Sequence, residues 1–153
     1  MSKLKAKVTP IHQFTHTGDK VLLVKMIGHD RTTGGGEYPT IKWGKVGDVM
    51  ECVDWNDKAV CGGGIHAWPW GMFIGTGRDP DACLPWLVLE AEPATVVQID
   101  GGKVKVPRAK IVYDGDMAGA MYYTSAGRVA WVEANAGGSA SATGWRGSAS
   151  ATG

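Results

Sequence analysis

Gly138-Ser-Ala-Ser-Ala-Thr-Gly144, then Trp145-Arg146, then Gly147-Ser-Ala-Ser-Ala-Thr-Gly153 is the stretch on which the reading of the chain turns. Seven letters recur unchanged at a period of nine residues, from Gly138/Gly147 through to Gly144/Gly153. Similarity at a fixed period marks a repeat architecture. Within a unit, Ala140 and Ala142 alternate with Ser139, Ser141 and Thr143. That is the period of a strand, whose successive side chains point to opposite faces. Thr143-Gly144-Trp145-Arg146-Gly147 supplies the turn, because glycine permits the positive φ of a sharp reversal. One unit is then a short strand plus a turn, and two units make one coil of a β-solenoid with Ala inside and Ser/Thr outside. Ala-lined coils bury little apolar area each, so they must stack or pair with another copy. Their last strand also leaves an open edge, a template for self-association. The residues expected to carry assembly are Ser139, Ala140, Ala142, Thr143, Gly144, Trp145, Arg146 and Gly147. A flexible Gly/Ser linker is the competing reading. It gives no reason to hold Trp-Arg at a fixed place.

Upstream, setting Asn135 against Gly144 aligns Ala130, Val132 and Ala134 with the Ser/Thr positions, and Trp131 and Glu133 with the Ala positions. This suggests a degenerate coil joining the array to what precedes it. The expected division is a β-rich globular head over residues 1–126 and a nonapeptide repeat segment over residues 127–153.

The head reads as mainly β, an α+β domain with one short helix. Val21 to Ile27, Tyr38 to Trp43, Val46 to Val53, Leu84 to Ala91, Thr95 to Ile99, Lys103 to Val106 and Ala109 to Tyr113 are β-rich runs between Gly, Pro and Asp turns. Gly34-Gly35-Gly36 has no Lys-Ser/Thr after it, so a hairpin loop fits better than a phosphate loop. Asp116 to Thr124 is the one expected helix, capped by Asp114 or Asp116.

Charge is nearly balanced, 16 Lys+Arg against 15 Asp+Glu, and the basic residues form no patch beyond Lys3, Lys5 and Lys7. A nucleic-acid surface is not indicated. No apolar run reaches membrane-spanning length, and no signal peptide is recognisable. Three cysteines, an odd number, fit a reducing compartment better than a disulfide framework. Synthesis in the cytoplasm is expected, with later release by a route without a cleaved signal left open.

Cys61-Gly-Gly-Gly-Ile-His66-Ala-Trp68-Pro-Trp70-Gly71 is the most unusual stretch of the head. Cys52, Cys61, His66 and Cys83 are zinc-type ligands, yet their spacing includes no Cys-x2-Cys knuckle. A Cys61–His66 nucleophilic pair is conceivable, but nothing in the sequence supplies an orienting third group. Seven tryptophans offer flat faces that could stack a sugar or base. His66, Trp68, Trp70 and Trp86 are the candidate binding residues; Trp43 and Trp55 share the chemistry. No cofactor is implied.

The Cys61–Gly71 cluster, Trp86-Leu-Val-Leu-Glu90, Lys103-Val-Lys105-Val-Pro107-Arg108 and the Ser-Ala-Ser-Ala-Thr-Gly units together resemble a group of phage and prophage proteins. Those proteins carry a Cys–Gly–(Ile/Leu/Phe)–His signature in an N-terminal domain and a long array of the same units. The resemblance implies a viral or prophage origin and a globular head on a repetitive β-rich tail. It carries no activity.

Three functions follow as expectations. In the first, a structural, self-assembling protein uses its head to cap or nucleate a solenoid, its partner being another copy of itself, as homo-oligomer or filament. In the second, a binding module recognises a host protein, glycan or nucleotide through the Trp-rich head, with the tail giving multivalency. In the third, an enzyme uses His66 with Cys61, or with Glu90 or Asp54.

Overall fold

A computed structural model describes residues 18–136. The exact repeats, Ser139 to Gly147 among them, lie outside the described residues. So does Trp145.

The described residues are mainly β with one helix. The strands are β1 (Val21–Met26), β2 (Thr32–Gly35), β3 (Tyr38–Lys42), β4 (Val49–Glu51), β5 (Ile65–Pro69), β6 (Trp86–Ala91), β7 (Val97–Gln98), β8 (Val104–Val106) and β9 (Arg108–Gly115), followed by α1 (Met117–Asn135). Seven strands form one antiparallel sheet in the order β4-β9-β6-β1-β5-β8-β7, and β2 with β3 forms a separate hairpin. The centre is the pairing of β1 with β6, in register from Val21↔Ala91 to Met26↔Trp86. Leu22, Leu23, Val24, Leu87, Val88 and Leu89 are fully buried there. Two neighbouring strands with such unbroken apolar runs must be covered on both faces, unlike an alternating half-exposed strand.

Helix α1 supplies one cover. It packs across β1, β6 and β9. Its buried residues Ala120, Tyr123, Thr124 and Gly127 recur at helical spacing. The Tyr123 ring lies 6.0 Å from that of Tyr113 on β9, and Trp131 lies 5.6 Å from Trp70 just beyond β5. Asp116 caps the helix: its carboxylate accepts the Gly119 amide at 2.7 Å, satisfying one of the amides a helix start leaves unpaired. At the other end Asn135 Nδ2 donates to the Gly18 carbonyl at 3.0 Å, tying the end of the helix to the residues before β1.

Two expectations need revising. The helix does not stop at Thr124 but runs to Asn135, across the 126/127 boundary. Residues 130–135, read as a degenerate coil, are therefore helical. The Ala/Val/Trp alternation suits a strand as well as a helix. Gly127 continues the buried stripe one heptad beyond Ala120. The stretch Val46 to Val53 also contracts to Val49–Glu51, an edge strand paired only with β9, because Gly47 takes φ +99° and a turn precedes it. Asp116→Ala should lower the free energy of unfolding by about 1 kcal/mol, read as a lower urea midpoint at unchanged slope.

Candidate functional site

Where β1 and β5 meet the β2–β3 hairpin and the loops after β4, β5 and β7, the head forms a half-open cavity of about 920 Å³. That is the size of a pocket for a small organic molecule or cofactor. Its apolar walls include Val24, Met26, Ile41, Met50 and Trp68. The hairpin is held in place by Arg31, which takes φ +64°. Its guanidinium donates to the Gly44 carbonyl at 2.6 Å and to Asp114 on β9 at 2.8 Å. Trp43 Nε1 bonds Thr33 Oγ1 at 2.9 Å, closing the hairpin base.

Four cations, Lys25, Lys42, Arg78 and Lys103, line this space together with neutral polar groups and three carboxylates. Lys25 interrupts the otherwise apolar Val21–Met26 run and is half-buried, its remaining accessible surface lining the cavity. Its ammonium donates to the His66 carbonyl at 2.7 Å. Arg78 and Lys103 line the same cavity; Arg78 Nη1 reaches the Met26 carbonyl at 3.4 Å, and Lys103 Nζ lies 4.0 Å from Cys61 Sγ. Gly77 leaves room for Lys103: with φ +81°, a Cβ there would sit 2.5 Å from that ammonium. No carboxylate among the described residues forms an ion pair with Lys25, Arg78 or Lys103. Burial first, then the positive charges of Arg78 and Lys103, lower the Lys25 pKa from 10.5 to about 8. Asp54, Glu51 and Asp100 also border the cavity. Glu51 pairs with Arg108 at 3.2 Å and Asp54 accepts from Cys52 Sγ at 3.0 Å.

His66 sits on β5 beside this cluster. Its Nε2 accepts the Gly62 amide at 3.1 Å, which puts the ring proton on Nδ1 in the neutral form. Burial, reinforced by Lys25, Lys103 and Lys105 and opposed by Asp54, lowers its pKa from 6.5 to about 4. The Tyr38 ring meets His66 edge-on, with centroids 6.4 Å apart. Lys105 has a different task. Fully buried, its ammonium bonds the Gly62 carbonyl at 2.9 Å and Asn56 Oδ1 at 3.1 Å, and lies 5.6 Å above the Trp55 ring. It holds the glycine loop against the sheet. Gly64 permits that approach, since a Cβ there would lie 2.8 Å from the Lys105 Cβ.

Of the expected binding residues, His66 and Trp68 line the cavity together. Trp70 and Trp86 do not. Trp70 packs on Trp131 of α1. Trp86 is fully buried, 5.8 Å from Trp68, its Nε1 bonded to the Asp81 carbonyl at 3.0 Å. Trp43 is buried as well, so these tryptophans build core rather than a stacking surface. Cys52 and Cys61 line the cavity with His66, and Cys83 lies elsewhere. Among the described residues no group of three or more His, Cys, Asp or Glu could hold a metal ion. The Cys61–His66 pair does not form either: the Nε2 lone pair that would take a thiol proton is engaged by Gly62.

Lys25, Arg78 and Lys103 are the residues sequence reasoning missed. Lys25 carried a signal, a lone charge inside a run of buried aliphatics; the other two sit in unremarkable polar contexts. No family model, curated protein or solved structure matches the chain.

Because His66 is neutral in the fold down to about pH 4, the unfolded chain binds the extra proton between about pH 6.5 and 4. Stability conferred by neutral His66 is present above pH 6.5 and is lost as pH falls through that window. Urea unfolding of wild type and His66→Gln should differ in pH slope over this range, the variant losing about 2 kcal/mol less on acidification.

Proposed function

We propose that the head is a binding module for an anionic small molecule, seated in the cavity with its charged group on Lys25, Arg78 and Lys103. The observation that carries this reading is the convergence of three cations without carboxylate partners on one partly apolar cavity. An isolated cation in a poorly solvated place is costly. A bound anion supplies the missing countercharge, and the apolar walls suit a body such as a nucleobase. The volume fits a nucleotide-sized ligand better than a bare ion. Binding is favoured over catalysis because His66 is neutral and its Nε2 is engaged by the Gly62 amide.

The repeat gives this module its setting. A β-solenoid built from residues 138–153 and their like would gather several heads, in a structural, self-assembling protein of phage or prophage origin made in a host cytoplasm. The nine-residue period and the motif resemblance support that part. No helix among the described residues is long and apolar enough to cross a membrane.

Function and stability should oppose each other at Lys25. The fall of its pKa from 10.5 to about 8 corresponds to about 3 kcal/mol against the charged form, less after allowance for its residual exposure. Losing its bond to the His66 carbonyl costs about 1 kcal/mol. Lys25→Met should therefore stabilise the ligand-free protein by about 1 kcal/mol at pH 7. In thermal denaturation, adenosine diphosphate and pyrophosphate should raise the wild-type midpoint; adenosine and matched sodium chloride should not. Lys25→Met should abolish the rise. A wild type indifferent to both phosphates, or a variant that still responds, would sink the reading.

A further inference from the structure

Helix α1 has a second apolar stripe, on the side away from the sheet. Ala118, Tyr122, Ser125, Val129, Val132 and Ala136 are all exposed. Their spacing alternates four and three, the a/d spacing of a coiled-coil seam. Val129 is 59% and Val132 56% exposed, on a helix whose other stripe is already spent on the sheet. With Val129 at an a position and Val132 at d, Arg128 falls at g and Glu133 at e. These two border one shallow groove with Ser125 and the two valines. Neither forms an ion pair among the described residues.

The charges select an occupant and an orientation. In a parallel pair of such helices, a g residue meets the e residue five positions on in the other chain, which sets Arg128 against Glu133 in both directions. In an antiparallel pair, g meets g and e meets e, which sets like charge against like. Interfacial e/g charges choose partner and direction in this way.

We propose that α1 is a parallel docking seam for a second copy of this chain, with Val129 and Val132 packing on their counterparts and Arg128 paired with Glu133 across the interface. The seam is shorter than the three to four heptads of an autonomous coiled coil, so association depends on concentration. It is independent of the cavity. Both copies would enter their repeats from the same end of the pair.

Sedimentation velocity on the full chain, over a wide concentration range, tests this. Wild type should self-associate. Arg128→Glu and Glu133→Arg should each raise the dissociation constant about tenfold or more, since each sets like charges together. The double variant Arg128→Glu/Glu133→Arg should restore association. Both residues are exposed, and unchanged helical circular dichroism would show that the variants fold. A wild type monomeric throughout, or an oligomer unmoved by either single reversal, as association through the repeat alone would give, overturns the proposal.

Discussion

The ladder between Val21–Met26 and Trp86–Ala91 is the constraint on which the rest depends. Both strands are apolar along nearly their whole length, so the chain must cover the pair on both sides. It does so partly with α1, and partly by leading the hairpin and loops around the remaining flank. Those covers set the position of everything else. The helix is fixed by Asp116 at its start and Asn135 at its end, and the hairpin by Arg31 bridging to Asp114.

Lys25 conflicts with that constraint. A lysine in a central, largely buried strand of a small β domain costs stability, and the nearest charges make its placement worse rather than better. Among the described residues its ammonium bonds a neutral carbonyl, that of His66. Contrast Lys105, more deeply buried but furnished with Asn56, a carbonyl and an aromatic face. Lys105 is a structural lysine with its valences met. Lys25 is placed as if a countercharge were to arrive from outside, and Arg78 and Lys103 stand where they would share it.

The central strands were legible because Val-Leu-Leu-Val and Trp-Leu-Val-Leu admit few other environments. The hairpin at Gly34-Gly35-Gly36 was legible for the same local reason. The full helix was not: Ala, Val and Trp from 130 to 134 suit more than one structure, and what holds them helical are distant contacts, Trp131 on Trp70 and Asn135 on Gly18. The cavity could not be read at all. Lys25, Arg78 and Lys103 are far apart in sequence and meet only because β5 and β8 continue the sheet beside β1. Trp68 lines the cavity while Trp70 and Trp86 are packed away from it, because a rich supply of flat faces says nothing about which are already packed.

The ionisation of Lys25 reports most directly on its place in the cavity. Nitrogen-15 resonance of the lysine ammonium groups, followed against pH with and without pyrophosphate, reads it directly, with Lys25→Met supplying the assignment. The account predicts that Lys25 loses its proton near pH 8 in the free protein and at a higher pH once pyrophosphate is bound, as a countercharge favours the ammonium. Titration near pH 10.5, with no response to pyrophosphate, would contradict it.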